Sequence, residues 1–442
     1  MPTASKRTAQ IIDVMGDAFA PLMAADPLAF RTKFRKMAAD PHAFYRGTAC
    51  LFYADVTGGD LSRADDPYVD DESSRIWIHG DLHAENFGTY LNSDGRLVFD
   101  INDFDEAYIG RYTWDLKRFA ASLALLGWQK ALPEADVRRL VARYLRAYLG
   151  QLNHYLHRDD DLDFALRLDN THGPVLAALM YARTRRRANL LDDMTVQDGA
   201  KRVFRDGPGV RRLGRPERRR VVTAFEAYLE TIPQDKRFDR PLFYDLVDVV
   251  GSSGFGIGSA GLPAYSLLVE GYSQALDNDV VLSMKQANIP AVSRFVDRGT
   301  VEGYFEHEAH RTVVSQRALQ VHTDPLLGHT TLDGVGYVIS EVSPYEVDLA
   351  WHSITEPDEI AAVVDLLGRA TAKVHCAADE DSDQTLVQFQ TEEVIARCLE
   401  GRRRQFTEDV VEFGISYSAR VREDWALFVE AFREGRIGVA SA

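Results

Sequence analysis

The feature that most limits how this chain can fold is a change of hydrophobic period that happens twice. From Thr8 to about Ala54 apolar residues recur at helical spacing, with breaks at Pro27 and Pro41, and WDLKRFAASLALLGWQKAL (114–132) and the stretch 133–156 continue the pattern. The arginine-rich region 162–232 also reads as helical. From about Arg240 to Ser343 glycine-rich turns and β-branched or aromatic runs take over, so strands are predicted at 242–250, 264–270, 280–284 and 336–340, with one helix at 304–321. Helical periodicity resumes at Pro357 and runs, with breaks, to the end. The expected fold class is α+β: a helical lobe (1–237), a small, mainly antiparallel β lobe (238–345), and the remaining helices of the first lobe (346–442).

At 442 residues the chain is longer than a usual single domain, so two lobes fit its length. Its 67 acidic and 51 basic residues leave a net charge of −16, which argues against a general nucleic-acid or anionic-membrane binder. Cys50, Cys376 and Cys398 have no metal-type spacing and read as reduced thiols of a cytoplasmic protein. The N-terminus lacks the uninterrupted apolar core of a signal peptide, and no apolar run approaches the roughly 18 residues of a membrane span.

The chemistry-bearing stretch is HGDLHAENFG (79–88), followed by LVFDINDFDEA (97–107) on what reads as a hairpin. Asp81 and Asn86 stand five residues apart, the spacing of the kinase pattern H-R-D-x-x-x-x-N. A loop of that length lets a carboxylate orient an acceptor hydroxyl while the Asn oxygen reaches a magnesium ion held against nucleotide phosphates. A second hard-oxygen ligand is needed from a neighbouring element, and Asp100, Asp103 and Asp105 are the candidates. His79 is expected to brace the loop backbone and His83 to cap a turn.

HGDLHAEN, then NDFDEA, then WDLKRFA resemble the catalytic motif, metal-binding motif and following helix of aminoglycoside-phosphotransferase-like kinases. Together with FRKMAADPHAFYRG and SEVSPYEVDL they also resemble a large bacterial family catalogued only as a domain of unknown function. The resemblance covers most of the chain and implies a protein-kinase-like fold without supplying a substrate. It favours Asp103 as the main metal ligand, because Asp103 lies twelve residues before Asp115.

Such a kinase presents its nucleotide lobe ahead of the catalytic loop, whereas here the corresponding series follows it. A strand leads into GSSGFGIGSAG, where Gly256, Gly258 and Gly261, with Ser259, form a G-x-G-x-x-G suited to close approach of phosphates. A strand rather than a helix follows, unlike a dinucleotide fold. VVLSMKQA then carries Lys285 among apolar residues, and EHEAHRTVV offers Glu308, with Glu306 as competitor, to orient it. YVISEVSPYE resembles the strand leading into a hinge, where backbone at Glu341 to Ser343 would meet an adenine edge. LLGRATAKVHCA resembles the helix that follows. Circular permutation accounts for the order, and it predicts that Gly258 and Lys285 face Asp81, Asn86 and Asp103 across one cleft.

The expected function is therefore an ATP- and Mg2+-dependent phosphotransferase acting on a hydroxyl of a small molecule or protein. Gly256–Gly261 would cover the phosphates, Lys285 hold them with Glu308, Asn86 and Asp103 bind magnesium, and Asp81 act as base. The alternatives are a nucleotide-binding pseudokinase scaffold, AMP transfer to a protein, and a metal-dependent hydrolase joined to a separate β domain. Glu85, Asp105 and Glu106 suit a cationic acceptor; the arginines at 183–187 and 211–220 suit an anionic one.

Overall fold

The computed structural model describes residues 4–58, 66–239, 242–252 and 262–438, without the side chains of Arg298 and Thr300. The chain opens with helices α1 (Ala4–Ala25), α2 (Pro27–Met37), α3 (Pro41–Arg46) and α4 (Ala49–Gly58). The two prolines start helices rather than merely ending them. Asp26 and Asp40 cap α2 and α3, accepting from the amides of Ala29 and Ala43 at 2.9 Å each, and the proline that follows each cap lacks the N–H that would otherwise go unpaired.

Short strands β1 (Ile76–Ile78), β2 (Phe87–Leu91), β3 (Leu97–Ile101) and β4 (Tyr108–Gly110) come next. β1 pairs with β4, and β2 pairs with β3 in the register Phe87 opposite Ile101. Helices α5 (Tyr112–Gln129) and α6 (Glu134–Tyr155) follow. α5 is buried on nearly every side, as its run of apolar and small residues requires. It packs on the long C-terminal helix 403–433, where a side chain at Gly414 would stand 3.0 Å from the Ala120 backbone. A Cβ at Gly368, in helix 357–376, would lie 2.4 Å from the Tyr144 carbonyl, so glycine there permits close crossing with α6.

The region 162–232 is not uniformly helical. Between α7 (Gly173–Ala182), α8 (Arg187–Met194) and α9 (Arg215–Leu229) lie the hairpin β5 (Thr195–Asp198) and β6 (Lys201–Phe204) and the strand β7 (Val210–Arg212). The hairpin turns at Gly199, φ +62°, and is fixed by distant partners: Phe204 is buried with Leu191, Val250 and Leu268, and its amide donates to Asp248 Oδ2 at 2.9 Å. Local propensity is overridden by burial on a sheet formed later in the chain.

That sheet adds to β7 the strands β8 (Leu246–Ser252), β9 (Ala264–Val269), β10 (Val280–Gln286), β11 (Gly328–Leu332) and β12 (Val335–Glu341), with α10 (Glu308–Gln320) between β10 and β11. Its spatial order is β11-β12-β10-β9-β8-β7, every neighbouring pair antiparallel. One face buries Leu267, Leu282 and Ile339 against Val221, Phe225 and Tyr228 of α9, so this core draws on residues upstream of position 238. β11 did not stand out in the sequence: Gly328 leads it because a side chain there would collide with Tyr228 at 2.7 Å. A short β13 (Val347–Asp348) then joins β2, and α11 (Pro357–Cys376), α12 (Thr391–Cys398) and α13 (Arg403–Arg433) complete a mixed α+β fold with antiparallel sheets. None of the described helices is long and apolar enough to cross a membrane.

Candidate active site

β1 delivers the chain into His79-Gly80-Asp81, and the loop is fixed from several sides. Asp115, fully buried in the first turn of α5, accepts from the amides of His79 (2.7 Å) and Gly80 (3.0 Å). The Tyr53 hydroxyl donates to the Gly80 carbonyl at 2.6 Å. Gly80 has φ +81°, and any Cβ there would stand 2.1 Å from the Glu106 carbonyl, so only glycine fits. His79 braces the loop as expected of it: Nε2 meets the Asn102 carbonyl at 2.9 Å, and Nδ1 accepts the Asp81 amide at 3.3 Å.

Three α5 residues at helical spacing face this loop. Asp115 holds its start, Arg118 Nε donates to Asp81 Oδ1 at 2.6 Å, and Ser122 Oγ accepts the Ala84 amide at 3.0 Å. Arg118 is fully buried, lies over the Tyr45 ring at 4.4 Å and occupies Asp81 Oδ1, while Oδ2 lies 3.9 Å from His83 Nε2. Asn86 Nδ2 donates to the Asp81 carbonyl at 2.9 Å, which fixes the amide and leaves its oxygen as an acceptor. His83 is buried and is held neutral by burial and by Arg46 and Arg118, well below the usual imidazole range.

Asp103 has a left-handed backbone (φ 60°, ψ 71°), a conformation Asp tolerates better than most residues. It lines one cleft with Asp81, Asp105 and Glu106, and with the cations Lys33 and Arg46. Burial, then the charge of Asp81, raises the Asp103 carboxyl, while Lys285 acts to lower it. Asp105 is pushed up to about 6 by burial and Asp103, with Lys285 and Arg311 opposing. Glu106 is pushed up to about 7 by burial and Asp81, even though its carboxylate accepts the Ala291 amide at 2.5 Å. Lys285, on β10 between Ala264 and Val338, thus acts electrostatically on the Asp103 cluster. The structure therefore places Asp81 and Asp103 in one cleft; Lys285 and Asn86 are not among the residues that line it, Asn86 standing on the loop of Asp81 and Lys285 near enough for its charge to act on Asp103. Hard oxygens crowded together, with carboxyls raised by burial and then by mutual repulsion, are a donor set that a divalent cation would fit.

Other expected residues sit differently. Asp100 is not among the residues lining the cleft: its carboxylate is taken by buried Lys373, whose ammonium lies 3.0 Å from it and also donates to the carbonyls of Leu319 and Gln320. Glu308 accepts from Arg311 Nε at 2.7 Å. The Glu341 amide donates to Asp324 and the Val342 amide to the Val281 carbonyl, at 2.8 Å each, so the first two peptide donors of the expected hinge are already committed, while Ser343 Oγ accepts the Tyr345 amide. Gly256, Gly258, Ser259 and Gly261 lie outside the described residues. Glu85 pairs with Arg46, Arg187 with Glu341, and Arg211 with Glu217, so much of the charge weighed for acceptor selection is internally balanced.

Two residues of the site did not emerge from the motifs. Arg311, buried on α10, donates to the carbonyls of Ala107, Asp105 and Asn288, tying that helix to the segment after Asp103. Lys33 lies in the apolar stripe Phe30, Phe34, Met37 of α2, an unusual position for lysine; burial lowers it to about 8, and it stands 4.2 Å over the Phe19 ring. A charge in an apolar helical stripe was the available signal for Lys33, whereas nothing local marks Arg311.

The N-terminal helices, the HGD and Asp103 loops and the segment that follows β10 thus meet at one carboxylate-lined cleft. Residues 25–431 match the family described as uncharacterized protein conserved in bacteria (DUF2252), and the chain belongs to that family. No curated protein and no solved structure matches the chain.

Proposed function

We propose that this protein is an ATP- and magnesium-dependent phosphotransferase with a protein-kinase-like fold in circularly permuted order. The observation that carries the proposal is that Asp81 and Asp103, from the two motif loops, line one carboxylate-rich cleft, with Lys285 near enough for its charge to act on Asp103. The arrangement of the sheet supports it: the third strand of the series β8, β9, β10 bears the lysine, α10 follows, and β12 lies between β10 and β11. The glycine run enters on sequence alone.

Asp81 Oδ2 accepts the proton of an acceptor hydroxyl, whose oxygen forms the new bond to the γ-phosphorus as the bond to the β-phosphate oxygen breaks and ADP leaves. Arg118 holds Asp81 in position through Oδ1. Lys285 draws the phosphates toward the cleft. Asn86 and Asp103 would hold magnesium, which when bound neutralises charge on the phosphate oxygens. Asp115 and Gly80 are positioning residues, since they set the loop without touching the reacting atoms.

The test is incubation of the purified chain with ATP labelled at the γ or the α position, together with lysate fractions. Transfer of γ label that disappears in Asp81→Ala and Asp103→Asn is expected. Turnover unchanged in Asp81→Ala refutes the base assignment, α-label transfer assigns AMP transfer, and nucleotide binding without either assigns a scaffold.

A further inference from the structure

A second knot of carboxylates lies among residues that do not line the cleft. RDDDLD (158–163) follows α6, DEDSDQ (379–384) follows α11, and Glu392 stands in the first turn of α12. Asp159, Asp161 and Asp381 each bring a carboxylate oxygen within 4.8 Å of the others. Asp379 lies within hydrogen-bond reach of Asp381, an acid meeting an acid. Three of the group are at least nine-tenths buried, and one oxygen of each, Asp161 Oδ2, Asp379 Oδ1 and Glu392 Oε2, has no hydrogen-bond partner among the described residues. The charges acting on these three come from one another and from Asp159, Asp381 and Glu393.

We propose that this knot is a cation site for a hard divalent ion, calcium by preference, held by Asp159, Asp161 and Asp381 and backed by the buried acids Asp379 and Glu392. Buried acidic oxygens without donors are costly unless protons or a cation neutralise them. A proton satisfies one pair of oxygens, whereas a divalent cation satisfies several at once and uses the open lone pairs. The donor set favours the ion: calcium takes about six to eight oxygens in a flexible shell, whereas magnesium demands a near-ideal octahedron and is usually held by one or two carboxylates and several waters. Three carboxylates gathered from two loops suit the larger ion.

The site abuts supports of the catalytic loop. Gln384, in the same loop as Asp379 and Asp381, donates to the Asp379 carbonyl at 2.6 Å and accepts from Trp77 Nε1 at 2.9 Å. Trp77 is the middle residue of β1, which runs straight into His79. Asp379 also follows α11 closely, and His375 of that helix lies 3.2 Å from Asp115, the carboxylate that holds the His79 and Gly80 amides. An ion at the knot secures the 379–391 loop behind the HGD turn.

The experiment is calorimetric titration and thermal melting of the chelator-treated full chain with calcium chloride alone and magnesium chloride alone, without nucleotide. The proposal expects calcium to bind more tightly than magnesium and to raise the melting temperature. Both effects persist in Asp103→Asn, and affinity falls at least tenfold in Asp161→Asn and Asp381→Asn. Those two variants are expected to fold, with circular dichroism like the parent's and, without calcium, a melting temperature equal to or above it, because each removes a repelling charge. Absence of binding by either ion, binding unaffected by both substitutions, or binding lost in Asp103→Asn overturns the site. Tighter magnesium binding overturns the calcium assignment.

Discussion

Replacing Asp115 by alanine removes the acceptor that holds the start of the HGD loop. The His79 and Gly80 amides, both in buried residues, lose partners at 2.7 and 3.0 Å, and His375 loses one at 3.2 Å. An orphaned buried donor costs about 1–3 kcal/mol, so the two amides together cost about 2–6 kcal/mol. That is a large part of the roughly 5–15 kcal/mol of a typical fold. Asp115→Asn keeps one acceptor oxygen and should lose about half as much. Urea unfolding followed by circular dichroism measures the global loss, and amide hydrogen exchange reads the local one, with His79 and Gly80 losing protection before the α6–α11 pair does. If Asp115→Ala costs less than about 1 kcal/mol and both amides stay protected, the carboxylate does not hold the loop and its place in the mechanism falls.

Gly80→Ala should yield little folded protein, because its Cβ would sit 2.1 Å from the Glu106 carbonyl on a φ of +81°; a soluble variant with the parent's melting curve would contradict this. Lys373→Met should destabilise by about 3–5 kcal/mol by leaving Asp100 buried without its cation, while Lys373→Met combined with Asp100→Leu should recover part of the loss in the same urea assay. Glu106, raised to about 7 from its ordinary 4.5, keeps its proton longer in the folded chain. Its contribution to stability is full below the unfolded pKa and is lost as pH rises through the folded one, about 3 kcal/mol in all. Melting curves from pH 4.5 to 8 should show this fall, and Glu106→Gln should make it shallower by that amount.

The sequence by itself determined the elements whose cause is local. Apolar spacing specified α5 and α6, while Pro27 and Pro41, which read as breaks, proved with their Asp caps to begin α2 and α3; caps and periodicity act within a few residues. The HGD motif was legible because His79 and Asn86 each meet the Asp81 backbone within the turn, but Asp115, Tyr53 and Asn102, which hold the loop, come from other elements. Tertiary structure decided which charges face one another. Asp100 and Asp103 are three residues apart, yet one meets Lys373, from 273 residues away, and the other lines the cleft with Asp81. Glu308 stood out in the sequence as a partner for Lys285, but packing sets Arg311 against it and against the carbonyls after Asp103. The hairpin 195–204 formed where helix was expected, since burying Phe204 on the sheet outweighs local preference. The knot of Asp161, Asp379 and Glu392 is likewise invisible along the chain. Electrostatic interaction depends on distance in space, and only the packing of α6 against α11 brings those segments together.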